Sequence, residues 1–164
     1  MGELSIRDAR EGDLAAIDSI YNHYVMNATC TWQCEPGTAA QRRLWFAAHD
    51  AEHPVTVAVL DGEVVGWGSL SIYNVREGYR FTVENTVYVR HDRQRRGIGR
   101  ALLADLIERA AALGHRTVVA SISADQPASI ALHRAAGFSD AGRLKLVGYK
   151  FGQWLDCVYL QKML

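Results

Sequence analysis

Thr82-Val83-Glu84-Asn85-Thr86-Val87-Tyr88-Val89 leads through a short basic segment into Arg95-Arg96-Gly97-Ile98-Gly99-Arg100 and then Ala101-Leu102-Leu103-Ala104-Asp105-Leu106-Ile107. The first run is rich in β-branched and aromatic residues and predicts a strand. The last repeats apolar residues on successive helical turns and predicts a helix. Between them lie two glycines among arginines. A helix start presents backbone N–H groups without intrahelical partners and carries partial positive charge. Glycine lets that backbone approach a ligand, and guanidinium forks match phosphate oxygens. Strand, glycine–arginine loop and helix in this order predict a pyrophosphate site on an α/β framework.

The string is not a dinucleotide fingerprint, because the third glycine position after Gly97 and Gly99 holds Leu102. Nor does a Walker loop, G-x-x-x-x-G-K-[ST], occur anywhere. Gln94-Arg95-Arg96-Gly97-Ile98-Gly99 resembles the coenzyme A loop, [QR]-x-x-G-x-[GA], of GCN5-related N-acetyltransferases. Read without that resemblance, an ordinary glycine turn ahead of an amphipathic helix with a solvated basic face competes with the pyrophosphate site.

The chain has 164 residues, enough for one domain with its own core. Hydrophobic residues are 49% and charged residues 22%, a composition that suits a soluble globular protein. Formal net charge is zero, which argues against a nucleic-acid partner despite the cluster Arg93, Arg95, Arg96 and Arg100. No apolar run approaches a membrane span, and Met1-Gly2-Glu3-Leu4-Ser5-Ile6 lacks the features of a secretion signal. Cys30, Cys34 and Cys157 are odd in number and lack C-x-x-C spacing, so free thiols in a reducing, cytoplasmic setting are expected. No histidine or cysteine partners the Cys30/Cys34 pair at ligand spacing, and no metal is expected.

Outward from the opening stretch, Ser5 to Ala9 predicts a first strand, and Asp13 a cap for a helix carrying Leu14, Ile17, Ile20, Tyr21 and Tyr24. Thr38-Ala39-Ala40-Gln41 is a capping box ahead of Leu44, Trp45 and Phe46. Val55 to Leu60, Asp61-Gly62 and Val64 to Leu70 form a hairpin pattern. The strand ending at Val89 is expected to begin near Tyr79, and the following helix to run from about Gly97 to Leu113. Thr117 to Ile122 reads as a buried strand, and Pro127 opens a short helix stopped by Gly137. Two more strands are expected around Leu144 and over Leu155 to Leu160.

Further strings resemble the phosphinothricin N-acetyltransferase family, which includes methionine sulfoximine and methionine sulfone acetylases. They are Ile20-Tyr21-Asn22-His23-Tyr24-Val25, Thr82 to Val89, Ala128-Ser129-Ile130-Ala131-Leu132-His133, Gly137-Phe138 and Val147 to Asp156. The resemblance runs nearly end to end. It implies one domain over 1–164 with the GNAT fold, an α/β (α+β) mixed sheet of about seven strands flanked by about four helices. It also implies acetyl transfer from acetyl-coenzyme A to the amine of a small amino-acid analogue, a role in detoxification (herbicide resistance) or amino-acid metabolism, and a homodimer.

By the same resemblance, Glu84 is the expected base, since an ammonium group must lose a proton before it attacks. A carboxylate among apolar strand neighbours should have a raised pKa. Backbone amides of Val87, Tyr88 and Val89 are expected to face the thioester, and Arg95, Arg96, Gly97, Ile98, Gly99 and Arg100 the pyrophosphate. Gln126, where relatives carry asparagine, is expected at the pantetheine arm; Ala135 falls where relatives carry serine. His133 stands where many relatives have a tyrosine that protonates the departing thiolate. Asn74, Val75 and Arg76, with Glu84, Asn85 and Thr86, are the expected acceptor contacts; Arg76 or Arg80 suits an acid group. Another amine (a protein N-terminus, a polyamine, another amino acid) or a non-catalytic acyl-coenzyme A binding module remain the alternatives.

Overall fold

The computed structural model describes residues 2–164. Its strands are β1 (Leu4–Asp8), β2 (Val55–Leu60), β3 (Glu63–Ile72), β4 (Thr82–Val89), β5 (Thr117–Ser123), β6 (Ser139–Lys150) and β7 (Gln153–Met163). Its helices are α1 (Leu14–Asn27), α2 (Ala39–Ala47), α3 (Ile98–Ala112) and α4 (Pro127–Ala135). The strands form one seven-stranded sheet in the order β1-β2-β3-β4-β5-β7-β6. Only the β4–β5 pair is parallel. The mixed sheet and its four helices are those the sequence implies.

Alternation along β4 sorts its side chains between two layers. Val83 and Val87 pack on one face with Leu103 and Leu106 of α3. Tyr88 points to the other face, where Trp67 of β3 packs with Leu14, Ile17 and Ile20 of α1. Leu102, Leu103 and Leu106 are fully buried, and each such side chain contributes about 1.5–3 kcal/mol of transfer free energy. Gly68 permits this approach: a Cβ there would stand 2.9 Å from both a Leu106 methyl and the Thr86 carbonyl oxygen. The helix therefore rests directly on the strand pair that carries the site.

Local signals mostly act as written in the sequence. Thr38 and Gln41 form the reciprocal capping box of α2, and Pro127 takes the first turn of α4. Asp13 differs: its carboxylate makes no cap to α1 but accepts from the Arg10 amide at 2.8 Å and pairs with Arg7 at 2.7 Å. An ion pair with β1 has replaced the local cap. β4 begins at Thr82 rather than near Tyr79, because Glu77–Tyr79 closes into a 3-10 turn. β6 is longer than expected and twice irregular against β7. At the second irregularity Asp156 accepts from the Leu146 amide and from Arg143, each at 2.8 Å, and so stabilises the bulge.

Candidate active site

β4 and β5 are paired only at Thr82–Thr117, Val83–Val118 and Glu84–Val119. Beyond Glu84, β4 stays with β3 while β5 stays with β7, and the sheet splits. The Arg90 amide donates to Val65, so alternation along the antiparallel pair sends the amides of Tyr88, Thr86 and Glu84 to β3. The amides of Asn85, Val87 and Val89 then face the gap. Of the three expected amides, Val87 and Val89 point to the split, whereas Tyr88 is committed to β3.

The gap opens into a cavity of about 600 Å³. Its lower wall is Glu84 to Val89, its far wall Ala120 to Ile122, and its mouth the start of α3. Gly97 caps α3 at φ 79 and offers no side chain to the first-turn amides. Arg95 is also left-handed, at φ 58. Consecutive amides in such turns form a concave anion nest. Arg95, Gly97, Ile98, Gly99 and Arg100 line the cavity; Arg96 is exposed and does not. Added Cβ atoms at Gly97 would meet no protein atom, and at Gly99 only ordinary contacts at 3.5 Å. The space over these glycines thus belongs to the cavity. Nest, unclaimed helix amides and guanidinium groups fit the pyrophosphate of a coenzyme A ester.

Glu84 stands where the strands part. It is half-buried, and burial raises its carboxyl above the ordinary value. His133 on α4 is buried and reaches Asn85 of β4. Its Nδ1 lies 2.8 Å from the Ser129 carbonyl, which only accepts, so Nδ1 carries the proton. Nε2 then accepts from Asn85 Nδ2 at 2.9 Å, while Asn85 Oδ1 is buried without a partner among the described residues. Burial lowers the pKa of the ring. Gln126 lines the cavity, but its amide donates to Thr29 at 3.0 Å and to Asp125 at 3.3 Å.

Residues outside the sequence-based set also line the cavity: Tyr24, Cys30, Trp32, Arg93, Ser121 and Ser129. The Tyr24 hydroxyl donates to the Val89 carbonyl and accepts from Gln94, tying α1 to the mouth. Strings around Tyr24 and Ser129 carry the family resemblance, which was the available signal for them. Asn74, Val75 and Arg76 do not line the cavity that Glu84 lines. Asn74 Oδ1 accepts from the Arg76 amide at 3.0 Å to close the loop, and Val75 is 93% exposed. A second cavity of about 460 Å³ lies between β3–β4 and α1–α2, and Thr86 and Tyr88 line both.

A split β4–β5 pair, a nest at a helix start and a half-buried glutamate define a nucleotide-thioester transferase site. Residues 17–138 match the model of the Acetyltransferase (GNAT) family, and the chain belongs to that family. The chain is 45% identical to an L-methionine sulfoximine/L-methionine sulfone acetyltransferase of Pseudomonas paraeruginosa, over 96% of this chain and 92% of the relative. A phosphinothricin acetyltransferase from Sinorhizobium meliloti, solved in complex with AcCoA, superposes with TM-score 0.95 at 39% identity, covering 98% of this chain and 88% of that one. A ribosomal-protein-alanine N-acetyltransferase from Brucella melitensis superposes with TM-score 0.95 at 42% identity, covering 98% and 99%.

Proposed function

We propose that this N-acetyltransferase acylates the primary amine of a small amino-acid analogue of the methionine sulfone, methionine sulfoximine or phosphinothricin type, with acetyl-coenzyme A as donor. The observation that carries the reading is the split at Glu84, where a carboxylate of raised pKa meets strand amides facing the gap. The 45% identical relative of that activity supports the acceptor class. Glu84 takes a proton from the acceptor ammonium, and the freed amine attacks the thioester carbonyl. The Val87 and Val89 amides are suited to stabilise the oxyanion. As the intermediate collapses the attacking nitrogen gives up its second proton, the C–S bond breaks, and the coenzyme A thiolate takes up one proton, so that the net release is the single proton held by Glu84. His133 supplies the thiolate's proton from its imidazolium form, which burial disfavours, by releasing Nε2–H from Asn85 while Nδ1 stays with the Ser129 carbonyl.

The reading takes 1–164 as one catalytic domain in the cytoplasm, where free Cys30, Cys34 and Cys157 suit a reducing setting. Among the described residues no helix is long and apolar enough to cross a membrane. It further takes a homodimer. Tyr149, Phe151 and Trp154 on the β6–β7 hairpin are each more than half exposed, as a partner surface requires. The reading keeps Asn74, Val75 and Arg76, on the loop after β3, as acceptor contacts together with Glu84, Asn85 and Thr86.

Thiol release from acetyl-coenzyme A, measured against the three analogues and a panel of amines, tests the reading. Turnover on the analogues supports it. Turnover only on an alanine-ended peptide favours protein N-terminal acetylation, the reading to which the Brucella relative points. Cofactor binding with no turnover leaves a binding module.

A further inference from the structure

The cavity under α2 lies apart from the nest proposed for acetyl-coenzyme A, yet it shares Thr86 and Tyr88 with the main cavity. Its floor is a ladder on one face of β3 and β4: Ser71 pairs with Glu84, Ser69 with Thr86, and Trp67 with Tyr88. Same-face residues recur every second position, so the floor runs about 13 Å from the Glu84 rung to the Tyr88 rung. At one end stands Ser71, on the rung of the proposed base Glu84, which itself lines the main cavity; at the other end stands Arg42.

Arg42 is 8% exposed, and its guanidinium carbon lies 4.6 Å from the Trp45 ring centroid and 5.7 Å from that of Trp67. It donates through Nε to Asp18 at 2.7 Å, and the guanidinium makes no other hydrogen bond among the described residues. Trp67 is 2% exposed, and its indole N–H is buried without a partner among the described residues. A buried donor is nearly always matched, so the Trp67 N–H, beside a guanidinium whose remaining N–H groups are left to the cavity that Arg42 lines, calls for an oxygen-bearing ligand. The opposite end has the complementary character. His49 Nδ1 faces the Trp45 carbonyl at 2.8 Å and therefore carries the ring proton. Nε2 then accepts from the Ser71 hydroxyl at 3.2 Å, which leaves the lone pairs of Ser71 free to receive an N–H.

We propose that this cavity receives the acceptor's side chain, with sulfone, sulfoximine or phosphinate oxygens on Arg42 and the Trp67 N–H and the amine at the Glu84–Ser71 end. The inference rests on the amino-acid acceptor reading and adds the residues that select the oxygenated tail. Acetyl and acceptor then approach the same rungs of β4 from two cavities. An apolar tail of the same length fills the space but leaves both donors unpaired.

The test is the ratio of kcat/KM for methionine sulfone to that for norleucine in the wild type, Arg42→Lys and Trp67→Phe. Lysine keeps the charge beside Asp18 but loses the fork; phenylalanine keeps the aromatic packing but loses the donor. The ratio should fall about tenfold or more in Arg42→Lys and about threefold in Trp67→Phe, through KM for the sulfone. Thermal unfolding checks that each variant is folded, and Trp67→Phe alone decides if Arg42→Lys does not fold. An unchanged ratio in a folded variant overturns the inference while the acceptor reading stands. No turnover of any amino acid by the wild type removes both.

Discussion

Asn85 Nδ2 lies 2.9 Å from His133 Nε2, and the opposite ring nitrogen is held by the Ser129 carbonyl. The pair links β4, which carries Glu84, to α4, and it fixes the neutral tautomer of a buried imidazole. Protonation gives Nε2 a hydrogen that the Asn85 NH2 cannot accept. The amide must then turn, and its unpartnered Oδ1 becomes the acceptor. An NMR pH titration should show His133 titrating below an ordinary histidine, because burial disfavours the charged ring. Asn85→Ala removes the donor to the neutral ring and admits water, so the pKa should move upward. A downward move would mean that Asn85 stabilises the imidazolium more than the neutral ring.

Glu84→Gln separates function from stability. As the proposed base, Glu84 should contribute on the order of a hundredfold or more to turnover. Its folded pKa lies above its unfolded one, so the native state binds the proton more tightly and the ionised group costs stability above the folded pKa. Glutamine should therefore raise the thermal midpoint at neutral pH. The gain should vanish as pH falls below the unfolded carboxyl value, where both states are protonated. A variant that loses activity and gains no stability would contradict the burial argument.

Gly97→Ala tests the nest. At φ 79 a Cβ costs roughly 1–2 kcal/mol even though no protein atom stands in its way. If the pyrophosphate lies over this turn, KM for acetyl-coenzyme A should rise along with the drop in thermal midpoint. A stability loss with an unchanged KM would leave Gly97 a purely conformational glycine.

The cysteines should differ in reactivity. Cys30 lines the main cavity, and burial pushes its thiol up to about 11, so little thiolate exists at neutral pH. Cys34 is exposed. Brief alkylation at neutral pH followed by peptide mass mapping should label Cys34 first. Labelling of Cys30 first would show a more open gap than the one described.

Much of this protein was legible in its one-dimensional pattern. The run Thr82 to Val89, the glycine–arginine loop and the helix after it each announce themselves through local chemistry: β-branched residues, two glycines among arginines, apolar turns. The capping box at Thr38 and Pro127 at the start of α4 are equally local and formed as written. What the tertiary structure decided depends on groups far apart in the chain. Even Asp13, only six residues from Arg7, gave up a helix cap for an ion pair to β1 that the turn from strand to helix sets. The split of β4 from β5 sorts the amides that face the gap from the Tyr88 amide, a distinction that register sets and composition does not encode. Arg42 reads in sequence as one more helix-surface arginine. It became a buried cation at the end of a cavity because α2 folds onto Trp67, and burial is a property of the assembled fold rather than of the residue.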